Sequence, residues 1–187
     1  MTCVVGLVDD TGMYMGADSL ASSEVHKESR GDQKVFKIQD YLIGFAASYR
    51  MGQVLRYYFT PPQVSHGMDQ MEHMVTRFVP SVIKTLIECG YSMNDNGGSF
   101  LVAHRQKLFK IEADYQVGEM TDKYCAIGCG YKEALGSLHT THLYRHTARQ
   151  KIHLALSASE KFNPGVRGPF YMVDHQLPQI DSVDIEI

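Results

Sequence analysis

The sequence predicts an α/β protein of four layers, an αββα sandwich of two antiparallel sheets packed face to face and flanked by helix pairs. Three observations lead there. The elements run strands, two helices, strands, two helices, strand, and helices grouped in this way argue against a parallel doubly wound sheet. The early strands come in pairs joined by turns of a few residues, a connection that antiparallel neighbours permit. At 187 residues with 44% apolar content, the chain reads as one domain, residues 1–187, with a sizeable core.

Taken in order, Cys3–Val8 and Met13–Ala17 read as strands joined by Asp9-Asp10-Thr11-Gly12. Residues 19–33, "SLASSEVHKESRGDQ", are small, polar and charged, and read as a loop without a core face. "KVFKI" and "YLIGFAAS" form a second strand pair around Gln39-Asp40. Tyr49 to Phe59 is helical in pattern, and Thr60-Pro61-Pro62 ends it. A longer helix over 69–89 carries Met71, Met74, Val75, Phe78, Val82 and Leu86 at helical spacing, and Pro80 within it predicts a bend or a split. Asn94-Asp95-Asn96-Gly97-Gly98 reads as a turn, followed by strands over Phe100–Ala103, Leu108–Glu112 and Tyr124–Ile127. After Gly128-Cys129-Gly130 come helices over 131–143 and 147–161, stopped by "NPGVRG", then a short strand Phe170–Val173 and a polar tail.

Composition narrows the function classes. A net charge of −3 and a pI near 6.3 give no general pull toward nucleic acid or an anionic membrane. No apolar run reaches the ~18–20 residues of a spanning helix, and the first residues lack the basic region and cleavage site of a signal peptide. A cytoplasmic location is expected. The four cysteines, Cys3, Cys89, Cys125 and Cys129, lie in apolar segments and read as reduced, buried thiols rather than a disulfide framework. His139, His142 and His146 read as lying on one face of a helix, at spacings of three and four. No fourth ligand accompanies them, so a solvated or intersubunit face is the plainer reading than a metal site. Gly128-Cys129-Gly130 lacks the lysine and hydroxyl of a phosphate loop.

Thr2 at the start of the first strand, Asp18 in "GADS" and Lys34 in "KVFKI" form the most specific constellation in the chain. With the order of elements, they resemble proteasome β-type subunits and HslV-type peptidases, which are N-terminal nucleophile (Ntn) hydrolases. The resemblance covers approximately residues 2–173, and the spacing from Thr2 to Asp18 and Lys34 matches the family's threonine, aspartate and lysine without a gap. "KVFKIQDYLIGFAAS" runs in register with the family's lysine strand and the turn after it. "YCAIGCGYKEAL" looks like the segment that opens its third helix.

The resemblance implies a threonine endopeptidase that uses Thr2 as nucleophile once Met1 is removed. A hydroxyl is a poor nucleophile without a base beside it, and a free α-amine with a pKa of ~7.7–8.0 is such a base. Lys34, as an ammonium, would favour the neutral amine, and Asp18 would orient and compensate the lysine. The implied oxyanion donor is the backbone N–H of Ser48, where a glycine is usual. Ala21 and Ser22 would pair with an extended substrate as an added strand, and Ala46 would floor the specificity pocket. Three positions depart from the family pattern. Cys129 stands where a supporting serine is expected, and Asn163 and Val166 fall near a later aspartate and serine.

The implied substrate is an unfolded polypeptide or peptide, and no cofactor or metal is implied. The implied assembly is a homo-oligomeric ring or double ring of about a dozen subunits, with an AAA+ ATPase unfoldase as a possible partner. Tyr57, Tyr58, Phe59 and the segment His139 to His146 are the expected contact faces. Two alternatives stand beside the peptidase: a non-catalytic scaffold or assembly subunit of the same fold, and an amide hydrolase acting on small molecules.

Overall fold

β1 (Cys3–Asp9) is buried along nearly its whole length, and its alternate side chains serve two different layers. Cys3, Val5 and Leu7 pack toward a helix pair, while Val4 and Val8 pack toward a second sheet. This is the period-2 alternation of a strand with both faces covered. The computed structural model, which describes residues 1–22, 26–91, 98–176 and 181–182, repeats the pattern across both sheets. β2 (Gly12–Ala17) pairs antiparallel with β1, and Asp9 faces Gly12 across the hairpin. β3 (Leu20–Ser22) and β4 (Lys27–Ser29) form a separate two-stranded ribbon. β5 (Val35–Ile38), β6 (Tyr41–Phe45), β7 (Phe100–His104), β8 (Lys107–Ile111) and β9 (Val117–Glu119) follow one another in an antiparallel five-stranded sheet. The first sheet, also five-stranded, has the order β10–β1–β2–β11–β12, with β10 Tyr124–Gly128, β11 Tyr171–Asp174 and β12 Asp181–Ser182.

Between the sheets lies an apolar layer that includes Val4, Met15, Val35, Leu42, Leu101, Leu108 and Ile127. Helices α4 (Tyr131–His142) and α5 (Ala148–Phe162) cover the first sheet through Leu138, Ile152 and Leu156. α5 begins at a capping box in which Thr147 and Gln150 satisfy each other's backbone donors. Helices α1 (Tyr49–Tyr57), α2 (Gln70–His73) and α3 (Val79–Glu88) lie on the side of the second sheet, where Val54, Leu55, Phe78, Val82 and Leu86 pack on Ile43, Phe100, Val102 and Phe109. The four layers are those the element order predicts. No helix among the described residues is long and apolar enough to cross a membrane.

The differences from the sequence reading are local. Within 19–33, the expected loop contains the β3–β4 ribbon; its β4 residues are all exposed, so no apolar alternation marks it. β9 and β12 are three and two residues long, too short to carry a pattern. The helix expected over 69–89 is interrupted ahead of Pro80, which stands in the first turn of α3. The turn before it, Met74–Phe78, is π-helical. A proline ring collides with the carbonyl four residues earlier, and a widened turn relieves that crowding. His146 lies beyond the end of α4, so the three histidines do not share one helix face. Phe59 is a core residue at 4% exposure rather than part of a contact face, while Tyr57 and Tyr58 are exposed. Of the turn expected at Asn94–Gly98, residues 94–97 lie outside the described residues, as does most of the polar tail.

Candidate active site

The starts of β1 and β5 and the ends of β2, β6 and β10 meet at one edge of the sandwich, and the antiparallel register puts them there. Asp18, the residue after β2, donates its N–H to Cys3 O at 3.2 Å; Lys34, the residue before β5, accepts from Phe45 N–H at 3.0 Å. Their side chains converge in a pocket closed to solvent, at 0% and 1% exposure. Lys34 Nζ donates to Asp18 Oδ1 at 2.7 Å and to Leu20 O at 2.8 Å. Asp18 also accepts from Cys3 N–H at 2.8 Å through Oδ1 and from Leu20 N–H at 3.1 Å through Oδ2. The carboxylate thus ties the ammonium to the backbone of the residue that follows Thr2, and it also fixes the first residue of β3.

Burial pushes the Asp18 carboxyl above its ordinary range and the Lys34 ammonium below its own, while the charge and hydrogen bond of each partner oppose the shift. A pair this dry persists only because nearly every polar atom in it has a partner. Neighbouring Cys3 is buried against Ser159, and burial pushes its thiol up to about 12, so it stays protonated and inert.

Thr2 itself is 5% exposed. Its Oγ1 donates to Met1 O at 2.6 Å, and its N–H donates to Cys129 Sγ at 3.3 Å. That nitrogen is an amide as long as Met1 precedes it, and an amide's lone pair is delocalised into its carbonyl and cannot act as base. Cys129 also reaches Thr2 O at 3.4 Å and Gly165 O at 3.6 Å. The sequence reading buried this thiol with the other cysteines; instead it is exposed at the cleft, because Gly128 ends β10 in a left-handed turn, φ 89°. A Cβ at Gly128 would lie 2.2 Å from Thr2 O, so only glycine permits this approach. Asn163, the C-cap of α5, donates from Nδ2 to Cys129 O at 2.9 Å and accepts Gly165 N–H on Oδ1 at 2.9 Å. Val166 is buried in the layer beneath α5; its N–H donates to Asn163 O at 3.2 Å, and its side chain carries no polar group.

Two clefts flank Thr2 and share Met1, Thr2 and Ala47. One, about 290 Å³, is lined further by Ala21, His26, Glu28 and Tyr49. The other, about 370 Å³, is lined by Ala46, Gly98, Ser99, Glu112, Ala113, Gly128 and Cys129. Arg30 stacks on the Tyr49 ring at 4.2 Å and is held in a two-pronged bond by Asp32, which fastens the β4 end of the ribbon to α1. In the ribbon, β3 pairs with β4 on one side only, so Ala21 and Ser22 present a free strand edge among the described residues. Ser48 is the N-cap of α1, its Oγ accepting from Met51 N–H at 3.2 Å. The cleft lining passes from Ala47 to Tyr49.

Ala47 is the residue the sequence reading passed over. It has φ 86°, a conformation unfavourable for a side-chain-bearing residue, and it borders both clefts. Its signal was present in the small-residue run "FAAS" between a strand and a helix, which marks a tight connection but not which residue carries the strain. Glu28, Tyr49 and Glu112 gave no signal, because their place at the cleft depends on elements distant in sequence.

The fold is that of the proteasome-like Ntn hydrolases. BPH of Thiobacillus denitrificans, solved in complex with epoxomicin, superposes with a TM-score of 0.78 over 92% of this chain and 97% of that one, at 20% identity. HslV from Trypanosoma brucei gives 0.67 over 92% and 98%, at 15% identity. Anbu, an ancestral β-subunit from Yersinia bercovieri, gives 0.68 over 92% and 81%, at 17% identity. No family model matches the sequence, and no curated protein matches it.

Proposed function

We propose that the chain is a threonine-type endopeptidase of the proteasome-like Ntn class, acting through Thr2 after Met1 is removed. The observation that carries the reading is the buried Lys34–Asp18 pair, wired to the first residue of the strand behind Thr2, while Thr2 itself borders two clefts. A scaffold subunit has no use for a desolvated ion pair at this spot, since apolar packing would hold the strands at least as well. The freed amine of Thr2 takes the proton of Oγ1, and Oγ1 attacks the scissile carbonyl to form an acyl-enzyme. The amine returns the proton to the leaving nitrogen, and water then releases the acyl group. Lys34 keeps the amine neutral by like-charge repulsion, and the backbone N–H of Ser48 receives the oxyanion. The substrate strand lies along the free edge at Ala21 and Ser22, and Ala46 leaves room for a side chain beside Thr2.

Enclosure in a homo-oligomeric ring or double ring belongs to the same reading, since an open threonine site would attack any unfolded chain. An AAA+ unfoldase would then control entry. A small-molecule amide hydrolase is a weaker reading: two clefts and a free strand edge suit an extended chain better than a compact ligand.

Processing tests the base. A chain with Met1 removed should hydrolyse an unstructured peptide, and one with a retained extension should be slower by about two orders of magnitude or more. Equal rates would refute the amine's role.

Cys129→Ser tests the altered support. A hydroxyl is a better hydrogen-bond partner than a thiol for the Thr2 nitrogen, so kcat should hold or rise by a few-fold. A collapse of kcat in a folded variant would assign the thiol a role of its own.

A further inference from the structure

A cluster of buried polar rings lies outside the proposed site. Tyr41 on β6 stacks face to face on His104 at the end of β7, with centroids 3.9 Å apart, and its hydroxyl meets His73 Nε2 at 2.9 Å. His73 and His104 are 0% and 1% exposed. A cavity of about 260 Å³ opens beside them, lined in part by Asp40, Pro62, Gln63 and Arg105. The mechanism proposed above uses none of these residues.

The hydrogen bonds determine where the ring protons sit. His104 Nε2 faces Asp40 Oδ2 at 3.2 Å, which requires a proton on Nε2. If His73 donates from Nε2 to Tyr41, the phenol can donate onward to Pro62 O at 3.4 Å, so one chain satisfies both side chains. Each ring then has a bare Nδ1, buried and without a partner among the described residues. Protonation would add an N–H at that nitrogen with nothing to receive it and a charge with little to balance it. Arg105 and Arg77 face His73, and Arg105 and the other imidazole face His104; all of these oppose a further positive charge. Among the described residues Asp40 is the favourable neighbour of this pair, and its side chain is 62% exposed, so water screens its attraction.

The cluster joins separate elements. His73 ends α2 at the start of the π-helical turn, whose Phe78 stacks on Tyr41 at 5.2 Å and meets Phe59 beyond α1 at 5.2 Å. Tyr41 and His104 belong to the ends of the β5–β6 and β7–β8 hairpins. We propose that this cluster is an acid-sensitive latch, in which protonation of His73 and His104 loosens the layer of α2, the π-helical turn and α3 from the second sheet.

The direction follows from linkage. Burial holds both imidazoles below the ordinary 6.5. Stability is therefore fully present above 6.5, where both states are neutral. It is lost as pH falls below 6.5, because the unfolded chain takes protons that the native rings refuse.

Urea unfolding of the full chain at pH 7.5 and 5.5 measures this. The unfolding constant should rise by up to about tenfold per histidine more in the wild type than in His73→Gln/His104→Gln, whose amides keep the Nε2-side donors without titrating. Hydrogen-exchange protection factors in 70–88, which correct for the slower intrinsic exchange at low pH, should fall at the lower pH in the wild type only. An identical pH dependence in both proteins would overturn the latch. If the double variant does not fold, NMR titration of the wild-type histidines decides. Two imidazoles should stay neutral at pH 5.5, and titration of all nine histidines near about 6.5 would overturn the proposal.

Discussion

Thr2→Ala should abolish peptide hydrolysis, with kcat/KM falling by at least about four orders of magnitude while the fold persists. Loss of a catalytic nucleophile has this scale because base, oxyanion donor and substrate strand have nothing left to act on. Structurally the change is small. It removes a hydroxyl whose hydrogen bond is to the neighbouring Met1 carbonyl, together with one methyl group of a buried residue just ahead of β1. About 1 kcal/mol of stability is at stake. The expected result is an unchanged circular dichroism spectrum and an unfolding midpoint within a few degrees of wild type, with no turnover. Turnover by a folded Thr2→Ala protein would mean that another group is the nucleophile, and Cys129, exposed in the same cleft, would be the first to examine.

Lys34→Met should cost on the order of 10²–10⁴ in kcat, as expected when a positioned charge is taken from proton transfer. It should also destabilise the protein by about 3–5 kcal/mol, because Asp18 is left buried with no cation beside it. Inactivity of the single variant therefore does not separate catalysis from folding. Combining Asp18→Asn with Lys34→Met removes the stranded charge, and should recover part of the stability and none of the activity. Recovery of both would reduce the pair to a structural element. The wild-type pH profile adds a second reading. Activity that needs the Lys34 ammonium is present below its pKa and lost as pH rises through it. Because burial holds that pKa below the ordinary 10.5, the alkaline limb should begin below 10.5.

The layers were legible in the sequence because they depend on local signals. The apolar runs of β1, β2, β6 and β7, and the tight turns at Asp9–Gly12 and Gln39-Asp40, state both the strands and their pairing. The β3–β4 ribbon was not legible, since its strands are three residues long and its β4 face is solvated. The meeting of Asp18 and Lys34 beside Cys3 was anticipated only through the resemblance to the Ntn hydrolases, since three such residues at a given spacing carry little signal by themselves; what brings them together is the strand register fixed by burial. The cleft walls were not anticipated. Glu112 shares a cleft with Thr2 only because β8 packs near β10, and the positive φ at Ala47 falls in the connection between β6 and α1. Nor does sequence periodicity reveal the His73–Tyr41–His104 stack, since all three residues occupy core positions where apolar side chains are the ordinary choice.

Intact-mass analysis after exposure to epoxomicin tests the central claim most directly. The chain with Met1 removed should gain the mass of one inhibitor molecule, with the adduct mapping to Thr2, while Thr2→Ala and the chain that retains Met1 should gain none. A trimmed, folded chain that stays unmodified, or an adduct of equal yield on Thr2→Ala, would contradict the assignment of Thr2 as an N-terminal nucleophile.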